Sequence, residues 1–184
     1  MTDHRTTHST FSLERHYPAP PARVFAAWSD PRSKAGWFSG ADARHELDFR
    51  VGGREVNRAR RADGRELVFE SCYRDIVPDR RLVYTSTLSV GDELATVSLT
   101  TVEFHPEGTG TRLVLTEQGT FLGGDEEPDW RERGTATWLD ALGAFLRTHG
   151  PAGAGAGTET GTGTGTTSTH GSPATPDGPA EEAP

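Results

Sequence analysis

The sequence predicts an α+β domain in which a curved antiparallel sheet of seven strands wraps a long C-terminal helix. Three observations carry this. Residues 43–119 fall into successive strand-like segments joined by short connectors rich in Gly, Asp and Pro, and connectors that short force neighbouring strands to pair antiparallel. Residues 127–148 carry an apolar stripe of helical period. Between an isolated first strand and the run of hairpins there is room only for two short helices.

Taken in order, residues 10–17 alternate Phe11, Leu13 and Arg15 against Ser12, Glu14 and His16, which reads as a strand. Pro18, Pro20 and Pro21 break it, and proline is tolerated in the first turn of a helix. A helix over 22–28 follows, with Val24, Phe25 and Trp28 on one face. Asp30 can cap a second short helix, 32–37, with Pro31 at its first position. The remaining strands are expected at 43–51, 54–62, 66–77, 81–90, 95–105 and 110–119. Gly52 and Gly53 mark the first hairpin. In the final helix Trp138, Leu139, Leu142, Phe145 and Leu146 lie on one stripe, and Gly150 and Pro151 stop it. Gly134 and Gly143 inside it each cost about 1 kcal/mol against Ala unless close packing requires them.

Composition bounds the rest. Residues 1–9 are polar and read as a flexible leader, and 10–150 as one domain. Residues 151–184 contain no aromatic residue and no Leu, Ile, Val or Met, so they read as a disordered tail rich in Gly, Thr, Ala and Pro. A net charge of −8 disfavours non-specific nucleic-acid binding. The five arginines between Arg54 and Arg65 interleave with Glu55, Asp63 and Glu66 and are expected on a solvated strand face. Lys34 is the only lysine. The single cysteine, Cys72, excludes an internal disulfide and is expected in packing rather than chemistry. No apolar run reaches membrane-spanning length and no signal-peptide core precedes the domain, so the expected location is the cytoplasm.

At this point the chain resembles the START-related helix-grip superfamily, which includes birch-pollen-allergen-like proteins, polyketide cyclases and lipid-transfer domains. Within it the chain is similar to bacterial proteins that resemble the C-terminal domain of the activator of heat-shock-protein-90 ATPase. The matching segments are 20–31 with Val24, Phe25 and Trp28; Trp37 and Phe38; 48–53 ending in Gly52 and Gly53; 73–85 from Tyr73 to Thr85; 110–117 ending at Glu117; and 137–142 with Trp138 and Leu142. They occur in the family's order over residues 10–149. Two positions depart from it. Phe38 stands where many relatives carry a second Trp, and Ser86 where relatives often carry a large aromatic, which implies a cavity of different shape.

The resemblance implies a ligand pocket between the concave sheet face and the last helix. Alternation then names its lining: Phe69, Ser71 and Tyr73; Leu82, Tyr84 and Ser86; Thr100, Val102 and Phe104; Leu113, Leu115 and Glu117. Trp28, Trp37, Phe38, Trp138, Leu139 and Leu142 would close it from the helices. Tyr73, Tyr84, Thr100 and Glu117 are the polar anchors. Glu117 shares the inward register of Leu113 and Leu115, so its carboxylate is expected either to serve as a ligand anchor or general base, or to be structural, paired with an arginine of the helix or exposed near the strand end.

No cofactor or metal signature is present: no Gly-x-Ser-x-Gly, no Cys/His cluster and no glycine-rich loop opening a helix. His16, His45 and His105 are expected to be structural. The leading reading is a domain that binds a small hydrophobic or aromatic molecule. A second is a cyclase- or dehydratase-type enzyme with Glu117 or Tyr73 as acid–base. A third is a stress-response interaction domain resembling the chaperone activator. An edge strand or the aromatic surface near Trp130 could support a homodimer, and residues 120–129 could form a flap with Phe121 and Leu122 on its inner face.

Overall fold

The computed structural model describes residues 5–40, 43–123 and 126–149. The expected tail, 151–184, lies outside the described residues, as does the start of the leader.

The element order is β1 (Thr7–Tyr17), α1 (Pro21–Ser29), α2 (Pro31–Phe38), β2 (Arg44–Leu47), β3 (Arg54–Arg60), β4 (Glu66–Val77), β5 (Arg81–Val90), β6 (Glu93–Glu107), β7 (Gly110–Phe121) and α3 (Pro128–Thr148). The strands form one antiparallel sheet in the order β1-β7-β6-β5-β4-β3-β2. Register shifts between Tyr73 and Asp75 on β4, and between Leu88 and Ser89 on β5, interrupt the ladder. Such irregularities bend a strand and sharpen its twist, which curves the sheet around a helix.

Local chemistry explains the boundaries. Pro21 and Pro31 each open a helix, and the Asp30 carboxylate accepts from the Ser33 amide to cap α2. β2 is shorter than expected because the chain turns at Asp48. The Arg50 amide donates to the Asp48 carbonyl and the Gly53 amide to the Arg50 carbonyl, leaving Val51 exposed at the tip. Gly52 takes φ of +80°, and a Cβ on Gly53 would lie 2.1 Å from the Asp48 carbonyl oxygen. Two different constraints therefore select the two glycines. This loop clasps β4, with the Gly52 amide donating to Tyr73 O and the Tyr73 amide to Gly53 O. At the other end, β1 begins three residues earlier than the expected residue 10 and pairs Thr7 with Phe121.

The sheet's concave face and the three helices enclose one core that includes Val24, Leu82, Val102, Leu113 and Leu142. Midway along α3, Trp138 packs on Phe69 of β4 with ring centroids 5.9 Å apart, and at the next residue the Tyr17 hydroxyl, from the end of β1, donates to Leu139 O. A Cβ on Gly143 would press on the Tyr17 ring at 3.3 Å, whereas Gly134 has open space around it.

One expectation is overturned. Glu55 does not share the solvated face of the arginine run; it is 3% exposed. It pairs in register with Ser71, which places it on the concave side, while Arg54 and Arg58 on the alternate face remain at the surface.

Candidate functional site

The concave face is organised as rows running across the strands. In one row Tyr73, Tyr84, Thr100 and Glu117 are consecutive register partners. The next row is Ser71, Ser86, Ser98 and Gly119, all small. The third is Phe69, Leu88, Thr96 and Phe121. Large side chains thus flank a stripe of small ones beneath α3.

Several hydroxyls on these rows are buried and unmatched. Ser71 Oγ and Thr96 Oγ1 on the sheet, and Thr135 Oγ1 on α3, have no hydrogen-bond partner among the described residues, and Thr100 Oγ1 has only the hydroxyl of its register partner Tyr84 beside it. Ser86 and Ser98 do bond each other, at 2.8 Å. Thr137 and Thr148 on the same helix back-bond to the carbonyls four residues earlier; Thr135 does not. An unmatched buried polar group costs about 1–3 kcal/mol, so a group of them calls for an explanation.

Beside these hydroxyls lies a buried ion pair. Arg131 Nε donates to Glu117 Oε1 at 2.8 Å, with both side chains about 5% exposed or less. The Arg131 guanidinium lies over the rings of Phe69 and Trp138, at 5.5 and 5.8 Å from their centroids. Of the roles that the sequence left open for Glu117, the arginine partner on the helix is the one observed. Burial, and then Glu117, push the Tyr84 hydroxyl far above the usual phenol range, so it stays protonated.

A second buried cluster lies behind Tyr73. Its hydroxyl donates to Glu55 Oε2 at 2.9 Å, His45 Nε2 is 2.8 Å from Glu55 Oε1, and Lys34 Nζ is 3.6 Å from the same oxygen. Lys34 Nζ sits 3.7 Å from the Trp28 ring centroid, 4.6 Å from Trp37 and 4.5 Å from Phe38. Burial lowers the Lys34 ammonium to about 8, against the opposing pull of Glu55. Burial alone would raise Glu55, but Lys34, His45 and Tyr73 outweigh it and hold the carboxyl below its ordinary range. Burial and Glu55 raise the Tyr73 phenol far above its usual value, which makes it a donor rather than a base.

The structure thus divides the sequence-predicted site residues. Phe38, Phe69, Tyr84, Thr100, Glu117 and Trp138 lie around Arg131 or are linked to it through rings and register. Phe38 meets Trp138 at 4.6 Å and Phe69 at 5.5 Å. Trp28 and Trp37 instead form the lysine cage, which Phe38 completes from between the two groups, with Phe104 edge-on to Trp28. Tyr73 belongs to Glu55, and Leu142 is fully buried core. Sequence reasoning missed Lys34, Glu55, Arg131 and Thr135. Two carried a readable signal: extending the helical stripe back from Trp138 reaches Thr135 and Arg131 at helical spacing.

A cleft of about 600 Å³ opens between the start of β1, the end of β7 and the first turn of α3, lined by Phe121, Glu126 and Trp130 among others. Burial raises the Glu126 carboxyl, and Arg131 opposes this, which ties the cleft electrostatically to the buried ion pair. The expected flap is only partly described. Phe121 is a buried end of β7, while residues 124–125 lie outside the described set. Among the described residues no three His, Cys, Asp or Glu side chains gather as a metal site, and no helix is long and apolar enough to cross a membrane.

A seven-stranded sheet gripping a C-terminal helix places the chain in the helix-grip class of α+β domains. Within that class the chain belongs to the family of activator of Hsp90 ATPase homolog 1-like proteins, whose model matches residues 18–147. Solved structures agree. An uncharacterised protein from Rhizobium leguminosarum is 40% identical with a TM-score of 0.76, over 79% of this chain and 98% of its own. The Mll3558 protein from Rhizobium loti is 44% identical with a TM-score of 0.73, over 78% and 100%. Protein CV1439 from Chromobacterium violaceum is 29% identical with a TM-score of 0.64, over 74% and 96%. No curated protein matches the chain.

Proposed function

We propose that this domain binds a small hydrophobic or aromatic molecule between the concave face of the sheet and α3. The observation that supports this most directly is the set of unmatched hydroxyls at Ser71, Thr96 and Thr135 between aromatic and aliphatic walls. Small-molecule sites combine a mostly apolar lining with a few polar groups that fix orientation. The stripe Ser71, Ser86, Ser98 and Gly119 supplies width, and Phe69, Tyr84 and Trp138 supply flat apolar surface. The cleft at Phe121 and Trp130 is the entrance in this reading, because Phe121 is the register partner of Thr96.

The acid–base alternative has less support. Tyr73 is committed as a donor to Glu55, and Glu117 is committed to Arg131. Native mass spectrometry of protein purified gently from its own host, followed by denaturing extraction, tests the binding reading. A reproducible added mass of small-molecule size is expected. A bare chain mass, together with no saturable uptake from a library of aromatic compounds, would refute it.

A further inference from the structure

The polar end of the interior has a definite charge and a definite donor pattern. Arg131 and Glu117 sit within one ion pair, so their formal charges cancel. Arg131 spends Nε on Glu117, and Glu117 is its only hydrogen-bond partner among the described residues. A guanidinium carries five N–H donors, so the bond to Glu117 leaves most of its donor capacity unspent. Thr135, one helical turn from Arg131 on α3, adds a hydroxyl with no partner, and Thr100, register partner of Glu117, adds one shared only with Tyr84. The guanidinium brings donors and no acceptor, the hydroxyls can donate as well as accept, and the charge of the pair is already balanced.

Resting on the binding reading above, we propose that this corner selects an uncharged oxygen acceptor on the edge of an aromatic ligand, such as a ketone, and discriminates against a carboxylate. A second buried anion would share one guanidinium with Glu117 and remain uncompensated, which is costly in a low-dielectric interior. Glu126, at the cleft and near enough to feel Arg131, adds to the bias against anions. A neutral carbonyl can accept from Arg131, Thr100 or Thr135 without that penalty. Arg131, Thr100 and Thr135 are then the specificity-determining residues, and the apolar walls bind the ring system without discriminating.

The test is calorimetric titration of the full chain at pH 7.5 with three probes of one shape: 2-methylnaphthalene, 2-acetylnaphthalene and 2-naphthoate. The ketone is expected to bind about tenfold tighter than the hydrocarbon, the size of one net hydrogen bond, and the carboxylate weakest of the three. Thr100→Val and Thr135→Val, which keep shape and remove a hydroxyl, should pull the ketone-to-hydrocarbon ratio toward one. Arg131→Lys keeps the charge beside Glu117 but removes the planar fork, and it should do the same. A carboxylate that binds as tightly as the ketone, or a ratio that none of the three variants changes, would overturn the inference while leaving the binding reading intact. If none of the probes binds, the inference is overturned, while the binding reading stands or falls on the mass-spectrometric test above.

Discussion

Lys34 and Glu55 face each other across 3.6 Å of protein interior, with side chains 2% and 3% exposed. Three aromatic rings surround the ammonium, and a phenol and an imidazole approach the carboxylate. Cation–π contacts and hydrogen bonds offset part of the desolvation of the two charges. The cluster ties α2 to β2, β3 and β4 at one corner of the grip.

This arrangement predicts a pH signature. The folded-state value of Lys34, about 8, lies below its ordinary 10.5. The unfolded chain therefore holds the extra proton over that interval, and stability from this group rises with pH, from a minimum below 8 to its full value above 10.5. Tyr17, Tyr73 and Tyr84 are all raised above the ordinary 10.0, so they act in the opposite sense at higher pH. Urea unfolding from pH 8 to about 9.5, below the tyrosine range, should show wild type gaining stability relative to Lys34→Met. Parallel pH profiles would count against a proton-linked Lys34.

At the other polar corner, removing one member of the Arg131–Glu117 pair leaves a buried charge. Arg131→Met should cost about 3–5 kcal/mol in chemical denaturation. The double substitution Arg131→Met with Glu117→Leu should recover most of that loss, because paired buried charges are replaced by packing. An additive double variant would mean that the two groups are not energetically coupled.

The hairpin loop makes a steric prediction. Gly53→Ala places a methyl against the Asp48 carbonyl. The loop must then shift, and its two hydrogen bonds to the Tyr73 backbone are disturbed. A loss of about 2 kcal/mol or more is expected, read by thermal unfolding, with faster amide exchange at Gly52 and Tyr73.

The helix glycines should behave oppositely to each other. Gly134→Ala, with open space around it, should stabilise by about 0.5–1 kcal/mol through helix propensity and the unfolded state. Gly143→Ala should forfeit that gain against the Tyr17 ring. Matched gains at both sites in guanidinium titrations would show that the Tyr17 contact yields freely.

How much of this could be read from the chain depended on periodicity. Alternation placed Phe69, Tyr73, Tyr84, Thr100 and Glu117 on the buried face, because a strand has only two faces. Helical spacing did the same for Trp138 and Leu142. What escaped was set by contacts between elements. Glu55 reads locally as one charge in an arginine-rich run, and only its pairing with Ser71 turns it inward. Lys34 is buried because α2 brings it under Trp28, a relation between two helices that no single-element pattern encodes. The division of the aromatic residues between the lysine cage and the arginine corner arises in the same way, from how α1, α2 and α3 meet.

The stripe formed by Ser71, Ser86, Ser98 and Gly119 has a consequence for how such a domain diversifies. These four neighbours sit on four separate strands whose backbones the ladder already holds in place. A change of side chain at one of the three serines therefore acts over a fixed backbone, whereas at Gly119 a Cβ would press on the Phe121 ring at 3.1 Å. The interior behaves like a mould with three inserts, two of which, Ser86 and Ser98, are coupled through the 2.8 Å hydrogen bond between their hydroxyls.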